Sequence, residues 1–490
     1  MTYLRNIDNI TNAAYGPQAV VQPYPVVSGN AYYNLLPANF RTFTTGTGTA
    51  EVADQVMRVT SGTVPLDYGV IRSFRSVNYQ TGQGARLRIS ARFPNPQALT
   101  WSGAGAFNIG DELSFGYLGT DFGIWHRHGG LAEVQKLTIT TPSSGTETAI
   151  VNIDGTVYNI GLTAGTAQKN AHEIATFLTN NGVGIDAEQV SNTVIVDFTS
   201  DGNKTGAFSF SSNTAVGTWT ELTAGVTKTN DFYPMVAGAE PFAGVNIKES
   251  WNGTIPSGFD PSKGNTYEIT YQNGYGNIHF FIEDTQTGYF QECHTIKWAS
   301  SSNRPNLLNP SLRLGIYCYS VGAVVATSVE SPYTAGFVDG VKANTRNPRS
   351  QDNSKSGIGA TLTNIMTIRN SRTYNGYSNQ IEVEPIEVIV ANDGTKSGVV
   401  KVISGATLGG TPNFQTFGTN LITTKDVDGT TVTGGRVLAT IPVSKSGSVP
   451  IKLSDYFIRI PPGLPITLAG AAVGGGTVEL TVTLTWYEDI

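Results

Sequence analysis

Short runs rich in Val, Ile, Tyr and Phe alternate with turn residues along most of this 490-residue chain. This pattern restricts the possible folds more than any other feature of the sequence. Between residues 40 and 130 the runs include QVMRVTSG, YGVIRSFRSVNY, GARLRISARF and ELSFGYLG, and Gly, Pro, Asn or Asp bounds them. The same pattern resumes at residues 265–284 and continues to residue 340. Such runs between turn residues are typical of antiparallel strands. The sequence therefore predicts a mainly β protein.

One segment between these two halves has a helical period instead. In TAQKNAHEIATFLTNNG, residues 166–182, four apolar side chains recur at i, i+3, i+4 and i+7, which is one face of an amphipathic helix. These residues are Ala171, Ile174, Ala175 and Leu178. Thr166 is a good N-cap, and Asn181-Gly182 is expected to end the helix in a left-handed turn. Strand-like runs flank the helix, one of them with a hairpin turn at Asp154-Gly155.

These patterns predict three folded parts. A jelly-roll domain spans residues 1–132 and 237–345, and a small α+β module at 133–236 is inserted into one of its loops, because surface loops tolerate insertions. Residues 346–363 are polar and are predicted to form a linker. After it, QIEVEPIEVIVAN, GVVKVIS, RVLATIPVS and VELTVTLTWYE have the spacing of a C-terminal β-sandwich at 364–490.

Composition excludes several partners. Charged residues make up only 14% of the chain, against roughly 25% in ordinary soluble domains. A net charge of −6 without a basic cluster argues against nucleic-acid binding, and no apolar run is long enough for a membrane span. Residues 1–16 lack the apolar segment of a secretory signal, so we expect folding in a reducing cytoplasm, with Cys293 and Cys318 as buried free thiols.

Several of these segments resemble a known family. NYQTGQGARLRISARF, FGYLGTDFGIWHRHGG, YEITYQNGYGNIHFFIED and NPSLRLGIYCYSVG are similar to the concanavalin-like jelly rolls of structural proteins from tailed phages and large DNA viruses. VNIDGTVYNIGLTAGTAQKNAHEIA resembles a small module inserted in those proteins, and IRNSRTYNGYSNQIEVEPIEVIVANDGTKSGVVKVI resembles their C-terminal β domain.

The resemblance implies a virion component: a capsid-surface, fibre or tail protein without enzymatic activity or a cofactor. It also implies a homo-oligomer, often a trimer, that contacts other virion proteins and a host surface glycan. No catalytic residues come with it.

A metal enzyme is one alternative that the residues leave open. HRHGGLAE has the H-x-H-x4-E spacing of the first cupin motif, and GNIH matches a piece of the second. The ligands would then be His126, His128, Glu133 and His279. The motif glycine before the first histidine is displaced and the proline of the second motif is missing. The simpler interpretation places both histidines on one face of a strand, where they bond carbonyls or stack on aromatic rings.

A carbohydrate-active protein is the other alternative. Hydrolysis needs two carboxylates flanking a cleft, and the candidates on β runs are Glu112, Glu268, Glu283 and Asp284. Glycan binding without cleavage would use aromatic rings and polar groups in a loop. In WNGTIPSGFDPSKGN the candidates are Trp251, Asn252, Phe259 and Asp260. A turn at Asp426 and Asp428 is a weak calcium signal.

Overall fold

The computed structural model describes residues 23–31, 34–35, 39–77, 79, 83–339, 347–456 and 458–488. The first strands are β1 (Pro23–Asn30), β2 (Phe40–Thr45), β3 (Thr49–Ala53), β4 (Val56–Thr60), β5 (Tyr68–Ser76), β6 (Ala85–Arg92), β7 (Thr100–Phe107), β8 (Glu112–Leu118) and β9 (Asp121–His128). Then come β10 (Ala132–Thr141), β11 (Glu147–Ile153), β12 (Thr156–Leu162), helix α1 (Ala167–Asn181), β13 (Ile185–Val190), β14 (Thr193–Asp201), β15 (Ser209–Ser211) and β16 (Val216–Thr223).

The chain continues with β17 (Thr229–Pro234), β18 (Asn246–Ile247), β19 (Asn265–Tyr271), β20 (Ile278–Glu283), β21 (Phe290–Ile296), β22 (Arg313–Ser320) and β23 (Ser328–Asp339). The last strands are β24 (Asn347–Ile358), β25 (Thr363–Asn370), β26 (Thr373–Tyr374), β27 (Tyr377–Ser378), β28 (Val383–Asn392), β29 (Gly398–Ser404), β30 (Thr407–Leu408), β31 (Thr423–Asp426), β32 (Val432–Thr433), β33 (Arg436–Val443), β34 (Ser448–Lys452), β35 (Pro465–Ala472) and β36 (Val478–Glu488). A short 3-10 helix occupies Ser454–Tyr456. The prediction of a mainly β protein is confirmed.

Two compact units divide the chain. The first unit contains residues 1–130 and 227–344, and the second contains 131–226 and 345–490. The inserted module therefore belongs to the same unit as the C-terminal sandwich.

The first unit is a jelly-roll sandwich of two sheets. One sheet has the order β21-β20-β19-β6-β23-β4-β3 with β1 added beside β23, and the other has the order β18-β17-β9-β8-β7-β22-β5-β2. All strand pairs are antiparallel except β17 with β18. Alternate residues of strands such as β5 and β20 are buried, because successive side chains of a strand point to opposite faces. Aromatic rings from both sheets, among them Phe93, Phe115, Tyr267 and Phe280, fill the core between them.

The inserted module packs one helix against two small sheets, β13-β14-β10-β16 and β12-β11-β15. Thr166 caps α1 by accepting a hydrogen bond from the Lys169 amide, and the predicted apolar face of the helix is buried. The helix ends at Asn181 with Gly182 as its C-cap, as predicted, but the expected left-handed turn there is wrong: Gly182 is extended, and the left-handed residue is Gly184 at φ +70°. The hairpin turn at Asp154 and Gly155 is confirmed, since both have positive φ.

The C-terminal sandwich consists of the sheets β24-β36-β28-β34 and β31-β25-β35-β29-β33. Along β36, alternate residues from Val478 to Trp486 are buried. The predicted linker at 346–363 is wrong, because residues 347–358 form β24, which pairs with β36 over most of its length. Its polar side chains misled the prediction: β24 is an edge strand, and edge strands carry polar residues that discourage pairing with other chains.

A polar junction joins the module to the C-terminal sandwich within the second unit. The Arg369 guanidinium lies 3.5 Å from Glu188 Oε2, donates to the Gln189 carbonyl at 2.6 Å, and stacks 3.9 Å over the Phe414 ring. Arg372 adds an ion pair to Asp186 at 2.9 Å. Burial lowers the pKa of Arg369. This junction is a buried contact that the chain completes within itself.

Both cysteines, Cys293 and Cys318, are buried and free, as predicted. Burial raises the pKa of both thiols. In the described part of the chain, no helix has the length and apolarity that a membrane crossing requires.

Candidate functional site

The histidine pair lies on β9 in the first unit, at the end of the strand farthest from the β8–β9 turn. Strand alternation puts Trp125 and Arg127 on one face, where the guanidinium stacks 4.3 Å from the indole centroid. His126 and His128 share the other face with ring centroids 4.5 Å apart. Both imidazole rings lie nearly perpendicular to the Trp298 ring, and their centroids are 5.2 and 5.1 Å from its centroid. The predicted two-face arrangement and the aromatic stacking are confirmed.

His126 is completely buried. Its Nε2 lies 2.9 Å from the Asn306 carbonyl oxygen, and a carbonyl only accepts, so Nε2 carries the proton and Nδ1 is the free base. Within the described part of the chain, Nδ1 has no hydrogen-bond partner. Burial, and then the neighbouring His128, lower the pKa of His126 to about 3. The ring is therefore neutral, with one unused lone pair.

Asp231 on β17 completes the cluster. It lies directly opposite His126 in the antiparallel pair of β9 and β17. Its Oδ2 is 3.5 Å from His128 Nε2 and 3.2 Å from Lys248 Nζ, and its Oδ1 accepts from Asn246 at 2.9 Å. Burial disfavours the carboxylate, but the contacts with His128, Asn246 and Lys248 outweigh burial and lower its pKa. One ligand atom from each of His126, His128 and Asp231 lies within 4.8 Å of the others.

The structure does not bring together the four ligands of the cupin-like hypothesis. Glu133 lies on β10 in the second unit, where its carboxylate accepts from the Gln135 side chain at 2.7 Å and from the Lys204 amide at 2.6 Å. His279 lies on β20 in the opposite sheet and contacts Thr295 and Glu292. The residues that lie close together are instead His126, His128 and Asp231.

Two of the four predicted glycan-binding residues are packed into the jelly roll. Trp251 is 8% exposed, donates to the Tyr233 carbonyl and packs edge-on against Phe115, so its ring offers no face to a sugar. Phe259 packs against Phe122 and the core. Asn252 bonds the Thr295 backbone in both directions, and Asp260 caps its own turn at Ser262. A glycan role for Asn252 and Asp260 stays a prediction.

Three of the four predicted hydrolytic carboxylates, Glu112, Glu268 and Asp284, have structural partners. Glu112 pairs with Arg127 at 2.9 Å and accepts from the Tyr317 hydroxyl at 2.7 Å. Glu268 pairs with Arg86 and Arg88. Asp284 accepts from the Gln286 amide at the turn that follows β20, where Glu283 is the last residue.

The predicted calcium turn is also tied into the fold. Asp426 is buried and accepts from the amides of Asn413 and Gly429 and from the Asn364 side chain. Asp428 contacts Asn413 at 3.3 Å.

A second feature, which sequence patterns did not reveal, is a set of three loops at one end of the jelly roll. Each loop connects one sheet to the other: residues 61–67 join β4 to β5, residues 93–99 join β6 to β7, and residues 321–327 join β22 to β23. We call these 21 residues the apolar loop end. Backbone hydrogen bonds link the loops, from the Ser61 amide to the Thr327 carbonyl at 3.1 Å and from the Val321 amide to the Leu99 carbonyl at 2.8 Å.

The apolar loop end exposes six large aliphatic side chains. They are Val64 (53% exposed), Leu66 (65%), Leu99 (49%), Val321 (37%), Val324 (90%) and Val325 (49%). The three loops contain no Lys or Arg. Their single carboxylate, Asp67, is buried and accepts from Thr47 and Val64. Exposed aliphatic groups that cluster in this way mark contact surfaces.

Both leucines of this set occupy a backbone conformation that bulky side chains disfavour. Leu66 has φ +72° and Leu99 has φ +57°. The left-handed region suits Gly and Asn, and a bulky side chain there costs about 1 kcal/mol or more. Burial of the side chains within the fold does not offset this strain, because both are about half exposed or more. A signal was present in the sequence, since Val and Leu stand in turn segments that contain no Lys or Arg.

No family model and no curated protein matches the sequence. Among solved structures, lectin II from Ulex europaeus is 9% identical with a TM-score of 0.22, over 64% of this chain and 99% of the lectin. A structure described under endo-acting O-glycanases of the human gut microbiota that initiate mucin breakdown is 9% identical with a TM-score of 0.29, over 65% and 100%. Infectious bursal disease virus Gx strain is 8% identical with a TM-score of 0.14, over 88% and 79%. Likenesses this weak carry no function over to this chain.

Proposed function

We propose that this chain is a non-enzymatic structural protein of a virus particle and that it assembles with copies of itself through its β domains. The observation that carries the proposal is the apolar loop end, where strained, exposed leucines gather with valines. Soluble monomers rarely keep such a cluster in water. A partner that covers it would recover the hydrophobic free energy that folding leaves unused.

The occupant is a second copy of this chain. Identical copies meet through self-complementary or cyclic contacts, and these fail when like charges face each other. The three loops carry no exposed charge, so two copies of this end meet without repulsion. Charged residues make up only 14% of the whole chain, which also limits repulsion between copies.

A lipid surface fits this end less well. Loops that insert into membranes usually have Lys or Arg beside them, which anionic headgroups attract. Residues 61–67, 93–99 and 321–327 contain neither, and Arg92, which precedes the second loop, is paired with Glu330. Binding to vesicles is therefore an outcome that would contradict this choice of occupant.

Sedimentation equilibrium tests the assembly. We expect the wild-type chain to form a discrete oligomer and Val324→Asp to weaken association at least about 100-fold, because the contact would bury an unpaired carboxylate. The matched control is Val183→Asp, because Val183 is 84% exposed and lies in the other unit. A wild-type chain that stays monomeric at high concentration, or equal effects of the two variants, would refute the proposal.

The place of the protein in a virus particle, as a capsid-surface, fibre or tail component, rests on the sequence resemblance alone. Mass spectrometry of gradient-purified particles tests it, because peptides of this chain should co-purify with the other virion proteins. Contact with a host surface glycan is a further prediction of the resemblance. A sugar array checks it with the full chain.

A further inference from the structure

We infer that His126, His128 and Asp231 form a binding site for a single zinc-class divalent cation, which ties β9 to β17. Two imidazole nitrogens and one carboxylate oxygen are a donor set that such ions prefer. The register of β9 and β17 places Asp231 beside both histidines without any loop contribution. The inference is independent of the proposed assembly.

The spacing of the donors fits an ion. Ligand bonds of about 2.0–2.1 Å place tetrahedral neighbours roughly 3.3 Å apart. His128 Nε2 and Asp231 Oδ2 are 3.5 Å apart. The third donor, from His126, lies within 4.8 Å of both, so a small side-chain movement closes the set.

The hydrogen bonds of His126 also fit a ligand. Metal-bound histidines usually donate the proton of their other nitrogen to a carbonyl or carboxylate, which fixes the ring. His126 donates from Nε2 to the Asn306 carbonyl at 2.9 Å, and its buried Nδ1 has no partner among the described residues.

The Lys248 ammonium contacts the same carboxylate oxygen that would bind the cation. The ammonium lies 3.2 Å from Asp231 Oδ2, and the Lys248 side chain is 35% exposed, so it can turn outward when an ion arrives. Lys248 therefore competes with the ion for the carboxylate. Removing this ammonium should strengthen ion binding, which a merely structural histidine cluster would not do.

Calorimetric titration of the chelator-treated full chain with Zn²⁺ tests the site. We expect one ion per chain, roughly 10- to 100-fold weaker binding in His128→Ala and Asp231→Asn, and about tenfold tighter binding in Lys248→Met. His279→Ala is the matched control, because His279 also contacts a carboxylate, at 3.4 Å, but lies outside the cluster.

Thermal unfolding gives a second measurement, since an ion that binds only the folded state raises the melting temperature. Wild type and Lys248→Met should gain stability from Zn²⁺, and His128→Ala should not. If His128→Ala fails to fold, Asp231→Asn and Lys248→Met still decide the question. No stoichiometric binding by the wild type, or a loss of binding in His279→Ala alone, would overturn the inference.

Discussion

Two contact surfaces in this molecule follow opposite chemical rules. The junction between the inserted module and the C-terminal sandwich is polar, and Arg369 is held there by Glu188, the Gln189 carbonyl and the Phe414 ring. The apolar loop end of the jelly roll has no charged side chain at its surface and exposes aliphatic groups. Buried charges demand exact partners, which one chain can supply to itself. Aliphatic groups accept any matching apolar surface, including an identical one.

Arg369→Met should give the largest effect. It removes the buried guanidinium and leaves the Glu188 carboxylate and the Gln189 carbonyl short of a donor. We expect the second unit to lose about 3 kcal/mol of unfolding free energy in urea, without a change in assembly. The double variant Arg369→Met with Glu188→Gln should lose less, because no buried charge is then left unpaired. An equal loss in both variants would show that packing, and not charge, holds the junction.

Asp197 makes the same junction sensitive to pH. Burial raises its pKa to about 7, against the lowering effect of the hydrogen bond from Ser378. Because the folded state holds the proton more tightly than the unfolded state, stability is greatest at low pH and is lost as pH rises from about 4 to 7. Asp197→Asn should therefore stabilise the second unit by on the order of 2 kcal/mol at pH 8 and by almost nothing at pH 4. Urea unfolding at the two pH values checks this, and equal gains would contradict it.

Leu66→Asn should give a smaller effect, and it separates folding from assembly at the apolar loop end. Asparagine accepts the left-handed backbone at φ +72° more readily than leucine does. We expect unchanged or slightly greater stability of the chain, together with roughly tenfold weaker association, because an apolar contact group is lost. Calorimetric melting and sedimentation measure the two quantities. A loss of folding stability with full association would mean that Leu66 supports the fold instead.

Much of the fold was predictable from local patterns. Alternation along strands such as β36 and the spacing of Ala171, Ile174, Ala175 and Leu178 reflect periodicities that backbone geometry imposes. The strand β24 was not predictable, because its polar residues at an edge look like a linker. The end of the helix at Asn181 was predictable, but its backbone geometry was not, because Gly182 is extended and the left-handed residue is Gly184, two positions later.

The candidate site was only half predictable. His126 and His128 lie two residues apart, so their shared face follows from strand geometry alone. Asp231 stands beside them only because β17 returns to β9 after an insertion of about a hundred residues. The spacing of residues in the sequence does not predict that β17 pairs with β9. The three loops of the apolar loop end likewise come from distant parts of the chain.

Photo-crosslinking from position 324 tests the central claim most directly. With Val324 replaced by a benzoyl-phenylalanine, irradiation of the assembled chain should give covalent oligomers whose cross-linked peptides map to residues 61–67, 93–99 or 321–327 of another copy. The same photoreactive group at position 183 should give none. Cross-links from position 324 that fall elsewhere on the neighbouring copy, or their absence under conditions in which the chain sediments as an oligomer, would contradict the account.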